Sequence, residues 1–463
     1  MPIDTRESKR GTAMINKELI KPEITELIEQ QKWTELRESI EDWPIPEIAD
    51  LMETLDKRDR VVFFRILPRE ISTATFAHFE PEQQNALLLE MTDDETRQLL
   101  ANLAPDDRTA LLDELPGQVT QQLLNLLSPQ DLKEARYLLG YPEESVGRLM
   151  TPDYLAVRPH WTIGQALDHI RKMGRQSETI NMIYVTDPAW KLLDALELQL
   201  FILSDPELKV LDIMDDSYIA VSAFDDRESA VQVVQKYDKT VLPVVDTDGI
   251  LLGIVTVDDL LDVAEEEVTE DFHKTAAVAP LRTSYREATI FSLFSKRISW
   301  LIVLVFVNLI SSGIIEAFEE VLASAIALSF FIPLLIGSGG NTGAQSATLM
   351  VRAIAIGDLQ LSQWLRAVGK EILVGITLGI AMGITSWVLG VYRGGAEIGI
   401  VVGLSMIAIV LAANIIGTIL PFLLTRFNID PAVASSPLVT TIVDAVGLVI
   451  YFTIASIVIG VSM

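Results

Sequence analysis

The chain has 463 residues and no cysteine, and its 36 Lys and Arg against 64 Asp and Glu give a formal net charge of −28. The lack of cysteine excludes disulfide scaffolds, zinc thiolate sites, iron–sulfur clusters and thiol catalysis. The acidic balance argues against nucleic acid and favours cations as partners. Residues 1–289 carry 29 basic and 56 acidic residues, whereas residues 290–463 carry seven and eight. The sequence therefore joins an acidic soluble half to a nearly neutral apolar half.

A twelve-residue repeat follows an N-terminal leader, which we place at residues 1–39. The repeated apolar residues are Leu67, Phe79, Met91, Leu103, Leu115 and Leu127. Each is followed one or two places later by Pro or Thr, which favour the first helical turn and the N-cap, so each unit predicts a short helix and a tight turn. We expect an α-helical solenoid over residues 40–140, acting as a scaffold or docking surface. Asp106 and Asp107 lie in first turns, where they complement the helix dipole, and become cation contacts only if another domain faces them.

A second internal repeat, with an interval of 64, lies in residues 141–264. Val146, Leu149 and Met150 correspond to Val210, Ile213 and Met214. The second copy continues as strand, Asp-Gly turn, strand and helix, and it resembles a cystathionine β-synthase (CBS) domain, so we expect an α+β tandem pair. The first copy lacks the Gly and Thr-x-x-Asp ending of the second. In CBS domains such a Thr, here Thr256, can hold an adenosine ribose, although a structural role as a strand-to-helix cap is the alternative.

The densest acidic run lies between this module and the first apolar segment. From Asp258 to Asp271 there are eight acids among 14 residues and no Lys or Arg. A solvated acidic helix is one interpretation. The other is a cation-binding helix, because like charges on one helix face repel and the run has no basic partner in sequence. Oxygen ligands without His or Cys select magnesium, calcium or manganese. We expect an acidic connecting helix over 265–289.

The apolar half predicts a membrane domain over residues 290–463. Uncharged runs occupy 298–315, 321–351, 372–392 and 398–425, and a fifth, 431–463, is broken only by Asp444. About 20 apolar residues cross a bilayer as a helix, so we predict five spans. Six of the seven basic residues fall on one side, which places the acidic half and the N-terminus in the cytoplasm and the C-terminus outside.

Two segments of this half are candidates for a pore. PLLIGSGGNTGAQSAT at residues 333–348 combines small residues, which permit close helix packing, with Asn341. Asp444 is an isolated carboxylate inside the last span, which is costly unless it faces water, a cation or a partner. Glu316, Glu319 and Glu320 are taken as the only other acids near span interiors. The alternative to a cation site is a hydrogen bond from Thr440 or Thr441.

The order of these parts resembles the MgtE family of magnesium channels over nearly the whole chain. The matching motifs are the 333–348 segment, DPAVASSPLVTTIVD at 430–444 and EDFHK at 270–274. The resemblance implies a homodimer in a bacterial inner membrane, with a pore between the two membrane domains, an Asp444 from each subunit, and connecting helices that plug the cytoplasmic mouth when Mg²⁺ is abundant. Carbonyls near Thr440, in a helix loosened by Pro437, then accept hydrogen bonds from hydrated Mg²⁺, and Ser436 stands where the family commonly has Asn.

The resemblance also implies a set of regulatory Mg²⁺ ligands. They are Asp106 in the solenoid, Asp226, Glu228, Asp238, Asp259 and Asp262 in the CBS region, and Glu267, Glu270 and Asp271 in the connecting helix. Ala74 and Ala110 stand where further acids are expected. Bound cations are expected to screen repulsion, favour the compact form and hold the plug closed.

Three functional hypotheses remain open from the sequence. The first is a magnesium-selective channel, the second a proton- or sodium-coupled divalent cation transporter, and the third an integral sensor without transport. An enzyme is not expected, because the four histidines are scattered and no nucleophile and base pair is evident.

Overall fold

The computed structural model describes residues 17–40, 42–115, 117–281, 285, 288–427 and 429–460. The first 16 residues of the predicted leader lie outside this set. The chain divides into two compact units, Met1–Ala264 and Glu265–Met463. We describe each unit by itself.

The soluble unit begins with short helices that match the twelve-residue repeat. They are α1 (Lys17–Glu29), α2 (Trp33–Ile40), α3 (Ile45–Thr54), α4 (Lys57–Ile66), α5 (Arg69–Ala77), α6 (Pro81–Leu88), α7 (Asp93–Asn102), α8 (Pro105–Glu114), α9 (Gly117–Leu126) and α10 (Pro129–Leu138). The repeated apolar residues lie just past helix ends; Leu67 and Leu103, for example, are the C-caps of α4 and α7. Thr92 caps α7 in a capping box with Glu95, and Pro105 begins α8, as the sequence predicts.

One apolar core runs through all of these helices. It includes Leu67, Leu103 and Leu115 of the repeat, and also Ile24 and Leu36 of α1 and α2. The described part of the predicted leader is therefore built into the same core as the solenoid.

Two CBS-like copies follow. The first contains α11 (Val146–Leu149), β1 (Ala156–Val157), α12 (Ile163–Met173), β2 (Met182–Thr186), β3 (Leu192–Glu197) and α13 (Leu198–Leu203). The second contains β4 (Val221–Ser222), α14 (Arg227–Tyr237), β5 (Val241–Val245), β6 (Leu251–Thr256) and α15 (Val257–Thr275). Their sheets have orders β1-β2-β3 and β4-β5-β6, each with one parallel and one antiparallel pair. The tandem repeat is confirmed, and the first copy keeps its final strand and helix without the Gly and Thr of the second.

The acidic helix has different bounds from those predicted. Helix α15 begins at Val257, directly after β6, and ends at Thr275. It therefore continues from the strand-to-helix junction of the second CBS copy. Residues 282–284, 286 and 287 of the predicted helix lie outside the described set.

The membrane unit is almost entirely helical. Its helices are α16 (Ile290–Ala317), α17 (Glu319–Ser324), α18 (Ile332–Ala355), α19 (Trp364–Arg426) and α20 (Ser436–Ile459). Four helical segments within the described residues are long and apolar enough to cross a membrane. No residue of α16 is buried inside the chain, as expected of a helix whose side chains face lipid.

The 63-residue α19 contains a reversal at Gly395, where φ is 86° and ψ is −179°. Residues before and after this point lie against each other: a Cβ placed on Gly399 would lie 2.4 Å from Val391 Cγ2, and one on Gly383 would lie 2.6 Å from Ile407 Cγ1. Farther from the reversal, Asn414 Nδ2 donates to the Glu371 carbonyl at 3.4 Å. Helix α19 therefore comprises two antiparallel arms, 364–394 and 396–426, which is the arrangement that five spans require.

Candidate cation sites

The glycine-rich helix α18 packs directly on the last helix, α20. A Cβ on Gly340 would lie 3.1 Å from Thr440 Cγ2 and 3.5 Å from Asp444 Oδ1. One on Gly343 would lie 3.1 Å from both Val439 and Val443. The structure thus brings the two sequence segments selected as pore candidates into contact, because glycine lets the helices approach at this point.

Asp444 lies in the third turn of α20 and is half-buried. Among the described residues it has neither a hydrogen-bond partner nor an ion pair. The predicted alternative of a bond from Thr440 or Thr441 is not observed: the Thr440 hydroxyl donates to the carbonyls of Ser436 and Pro437, both at 3.0 Å, and the Thr441 hydroxyl donates to Pro437 O at 2.7 Å. A carboxylate in this position is available to bind a cation.

Two predictions about this helix are wrong. The last helix begins at Ser436 rather than Pro431, because residues Pro431–Val433 form a separate 3₁₀ turn. Pro437 lies at the second helical position, where its missing N–H costs no hydrogen bond, so it starts the helix and does not loosen its interior. Ser436 is half-buried beside it, and Asn341 is exposed on α18.

The membrane unit contains a buried acid that the sequence analysis missed. Glu371 is 8% exposed and lies two turns into α19. The expectation that only Glu316, Glu319 and Glu320 lie near span interiors is wrong, because α19 begins at Trp364 and not at the start of the uncharged run at 372. The sequence signal for Glu371 is the helical pattern that continues upstream of residue 372.

The soluble unit brings the solenoid and the second CBS copy together at Asp106 and Asp259. Both side chains are half-buried, and Asp107, Asp153, Glu178 and Asp258 lie exposed around them. Asp106 Oδ1 is buried and has no hydrogen-bond partner among the described residues. Asp106 therefore faces another domain, which is the arrangement that a role in cation binding requires.

These carboxyl groups disfavour each other's charge. Burial, followed by repulsion from Asp259 and Asp107, raises the pKa of Asp106 well above its usual range. Burial raises the pKa of Asp259 to about 7, although a hydrogen bond from Thr256 opposes the rise. The same cause raises the pKa of Glu178 and Asp153. A bound cation would offset the repulsion among these carboxylates and favour their charged forms.

The other candidate ligands of the CBS region are dispersed. Asp226 is the N-cap of α14 and accepts from Glu228 N at 2.9 Å, whereas Asp238 caps the opposite end of that helix with a left-handed backbone. Thr256 donates to Asp259 Oδ2 at 2.7 Å, which joins the predicted nucleotide candidate to the predicted cation ligand. Asp262 and Glu267 lie on α15. Within the described ranges, no group of three or more His, Asp or Glu side chains is close enough to hold a metal ion.

The end of α15 is held by ion pairs inside the membrane unit. Lys274 Nζ lies 2.5 Å from Glu270 Oε1 and 2.6 Å from Asp430 Oδ2, and Asp430 also accepts from Ala432 N at 2.8 Å. Burial would lower the pKa of Lys274, but the hydrogen bonds to Asp430 and Glu270 raise it above its usual range. The expectation that this acidic run lacks a basic partner is wrong, because Lys274 follows it by one helical turn.

Asp271 lies beside this ion-pair network. Burial, and then the Asp430 carboxylate, raise the pKa of Asp271, while Lys274 opposes the rise. Of the two predicted ligands in EDFHK, Glu270 is therefore engaged by a cationic side chain and Asp271 is left beside a second carboxylate.

Comparison with known proteins gives consistent matches. Three family models match: a divalent cation transporter domain, MgtE, at residues 332–454, the MgtE intracellular N domain at 43–144, and a CBS domain at 210–266. The magnesium transporter MgtE of Thermus thermophilus is 38% identical over 438 residues, which cover 93% of this chain and 97% of that protein. The magnesium transporter MgtE of Enterococcus faecalis is 36% identical over 437 residues, covering 94% and 96%.

Solved structures match the soluble part. The cytosolic domain of the Mg²⁺ channel MgtE in complex with ATP has a TM-score of 0.51 at 34% identity, covering 52% of this chain and 99% of that one. The soluble part of a magnesium transporter has a TM-score of 0.52 at 30% identity, covering 54% and 99%.

Proposed function

Because the chain belongs to the MgtE family of magnesium transporters, we propose that it is a Mg²⁺-selective channel that mediates Mg²⁺ uptake and closes when its acidic cytoplasmic parts bind Mg²⁺. The family consists of transporters and channels, not enzymes. The observation that carries the proposal is Asp444, a half-buried carboxylate without a protein partner among the described residues, lying against the glycine-rich helix.

The permeation site is formed by Asp444 and Thr440 opposite Gly340. Mg²⁺ dehydrates reluctantly and holds its oxygen ligands at about 2.0 to 2.1 Å, so the ion passes with waters in place. Thr440 supports this role, because its hydroxyl proton is used within the helix and its oxygen lone pairs are left to accept from the coordinated waters. Ser436 and Pro437 at the start of α20, and Asn341 on α18, line the approach to this site.

A second subunit completes the pore. One Asp444 per chain supplies a single negative charge, whereas two carboxylates on a dimer axis match the charge of a divalent cation. The half-exposed state of Asp444 in the single chain supports a shared site. We propose that the protein lies in a bacterial inner membrane, as the family resemblance implies. The distribution of basic residues supports an N-terminus in the cytoplasm and a C-terminus outside.

Regulation begins at the acidic interface of the soluble unit. At low Mg²⁺, Asp106 and Asp259 repel each other and the solenoid separates from the CBS pair. Bound Mg²⁺ removes this repulsion and favours the compact form, because a ligand shifts an equilibrium by its differential affinity for the two states. The unpartnered Asp106 Oδ1 supports a cation at this point.

Closure is completed by the end of α15. The ion pairs of Lys274 with Glu270 and Asp430 fix this helix end to the turn that precedes α20. The remaining acids are proposed to add Mg²⁺ affinity once a second subunit supplies further ligands. They are Asp226, Glu228, Asp238, Asp262, Glu267 and Asp271. An adenine nucleotide at the CBS pair, contacted by Thr256, is proposed as a further regulator, and the ATP complex of a related cytosolic domain supports it.

The test is electrical recording from purified protein in a bilayer, across a series of cytoplasmic Mg²⁺ concentrations. We expect Mg²⁺ current that falls as cytoplasmic Mg²⁺ rises. Uptake that stops when the proton gradient is collapsed at fixed voltage would favour a coupled transporter instead, and absence of any Mg²⁺ current would favour a sensor.

A further inference from the structure

A buried polar cluster lies behind the cation site, where α18 meets both arms of α19. Glu371 of the first arm, Asn414 and Thr418 of the second arm and Ser346 of α18 are 8%, 2%, 0% and 3% exposed. Such a cluster within an apolar helical unit requires an explanation, because polar groups there are stable only when they satisfy one another.

Ser346 is the centre of the hydrogen bonding. Its Oγ lies 3.3 Å from Glu371 Oε2, 3.3 Å from the Asn414 carbonyl and 3.0 Å from Thr418 Oγ1. Thr418 donates to the Asn414 carbonyl at 2.7 Å. Since a hydroxyl has one proton, Ser346 donates to the Glu371 carboxyl group, to the Asn414 carbonyl or to Thr418 Oγ1, but to one of them at a given moment. The cluster therefore ties three helical segments at one point.

The Glu371 carboxyl group has a hydrogen bond but no ion pair. In the described part of the chain, no Lys or Arg pairs with it. A buried carboxyl group without a cationic partner depends on hydrogen bonds for its stability. The hydrogen bond from Ser346 Oγ engages this carboxyl group, whereas Asp444 has no such bond among the described residues.

The cluster and the cation site occupy different faces of α18. Ser346 is six residues beyond Gly340, which places the two side-chain directions about 120° apart around the helix. Gly340 faces Thr440 and Asp444, whereas Ser346 faces α19. The hydrogen bonds of Ser346 consequently fix the position of α18 along its axis and its rotation about that axis. They thereby fix the face of α18, at Gly340, that meets Asp444.

From this arrangement we propose that Glu371 is a positioning residue for the cation site: through Ser346 it holds α18 so that Gly340 meets Asp444. The inference rests on the proposed function, in which the Asp444 site conducts Mg²⁺. Glu371 itself does not contact the ion.

The experiment is Mg²⁺ influx into proteoliposomes, measured against external Mg²⁺ for the full chain. Glu371→Gln keeps the hydrogen-bonding shape without a charge and is expected to stay within about twofold of the native half-saturating Mg²⁺ concentration. Glu371→Ala and Ser346→Ala remove the tie and are expected to raise that concentration by about three- to tenfold. Ser405→Ala is the matched control, because Ser405 is a fully buried serine of the same unit whose hydroxyl has no partner among the described residues.

Two outcomes overturn the proposal. If Glu371→Gln is as impaired as Glu371→Ala, the charge is required and the residue is a cation ligand. If Ser346→Ala behaves like Ser405→Ala, the cluster does not position the site. Ser346→Ala removes one oxygen atom only, so it keeps the test valid if Glu371→Ala does not fold. Asp444→Ala in the same assay tests the proposed function separately, because native influx in that variant refutes it whatever the Glu371 variants do.

Discussion

Gly340 lies opposite Asp444, so closely that a methyl group added to the glycine would come within 3.5 Å of the carboxylate and 3.1 Å of the Thr440 methyl. Because glycine has no side chain, the space in front of Asp444, the proposed cation ligand, stays open. This relationship joins the two motifs of the membrane half at one point.

Replacement of Gly340 by Val is expected to lower Mg²⁺ influx about tenfold or more, because overpacking at a helix contact costs about 1 to 3 kcal/mol and displaces Asp444. Influx into proteoliposomes measures it. Gly337→Ala is the matched control, since nothing lies within 4 Å of a Cβ at Gly337 on the same helix, and it should behave as the native protein. Equal influx in Gly340→Val and Gly337→Ala would show that this contact is unimportant.

Gly417→Ala is expected to destabilise the membrane unit. A Cβ at this position would lie 2.3 Å from the Gly343 carbonyl oxygen, so the second arm of α19 must move away from α18, at a cost of about 1 to 3 kcal/mol. Thermal unfolding in detergent measures the change. Gly369→Ala, with nothing within 4 Å of its added Cβ, should be neutral or slightly stabilising, and a similar loss in both variants would contradict the packing.

The sequence predicts the repeats and the long apolar segments well because their signals are local. Leu67 and Leu103 recur with the length of a helix and its turn, and Arg393 and Glu397 flank the reversal at Gly395. The family, the CBS pair and the mostly helical fold are confirmed by the structure and the comparisons.

Long-range contacts are less accessible to sequence analysis. The approach of Asp106 to Asp259 depends on how the solenoid packs on the CBS pair, and no spacing encodes it. The ion pair of Lys274 with Asp430 joins residues 156 apart in the chain. Glu371 is less accessible to sequence analysis for a different reason: an uncharged run marks the apolar part of a helix and not its first residue, and the run at 372–392 begins one residue after this acid.

Protonation is expected to replace Mg²⁺ at the acidic interface. Burial and neighbouring carboxylates raise the pKa of Asp259 from its ordinary value of 3.8 to about 7 in the docked unit. Separation is expected to return this pKa toward its ordinary value, so the docked state binds more protons, and its stabilisation is lost as pH rises through about 7. Without Mg²⁺, the protection factors of α8 amides, which compare observed with intrinsic exchange at the same pH, should be lower at pH 8 than at pH 5 by about tenfold or more, since one pKa unit corresponds to tenfold. Mg²⁺ should remove the difference.

The control for this prediction separates the interface from general acidity. The double variant Asp106→Asn with Asp259→Asn should remain docked at pH 8 without Mg²⁺. Asp168→Asn, which changes an exposed helix-surface ion pair, should keep the native pH dependence. Loss of the dependence in Asp168→Asn, or its persistence in the double variant, would place the titrating groups elsewhere.

Lys274→Met is expected to weaken closure. It removes the ion pairs to Glu270 and Asp430, so the cytoplasmic Mg²⁺ concentration for half closure should rise by about three- to tenfold. Electrical recording measures that concentration. Lys370→Met removes an exposed positive charge from the same unit and should leave it unchanged. If Lys274→Met closes at the native concentration, the end of α15 is not held by these pairs during gating.

Asp444 is the residue on which the account depends. Its most direct test compares Mg²⁺ current of the native protein with that of Asp444→Ala and Asp444→Asn in bilayers at low cytoplasmic Mg²⁺. The account predicts a large loss of Mg²⁺ current in both variants, because Asn keeps the shape and removes the charge. Magnesium-selective current of native size in Asp444→Asn would contradict the assignment of this carboxylate to conduction.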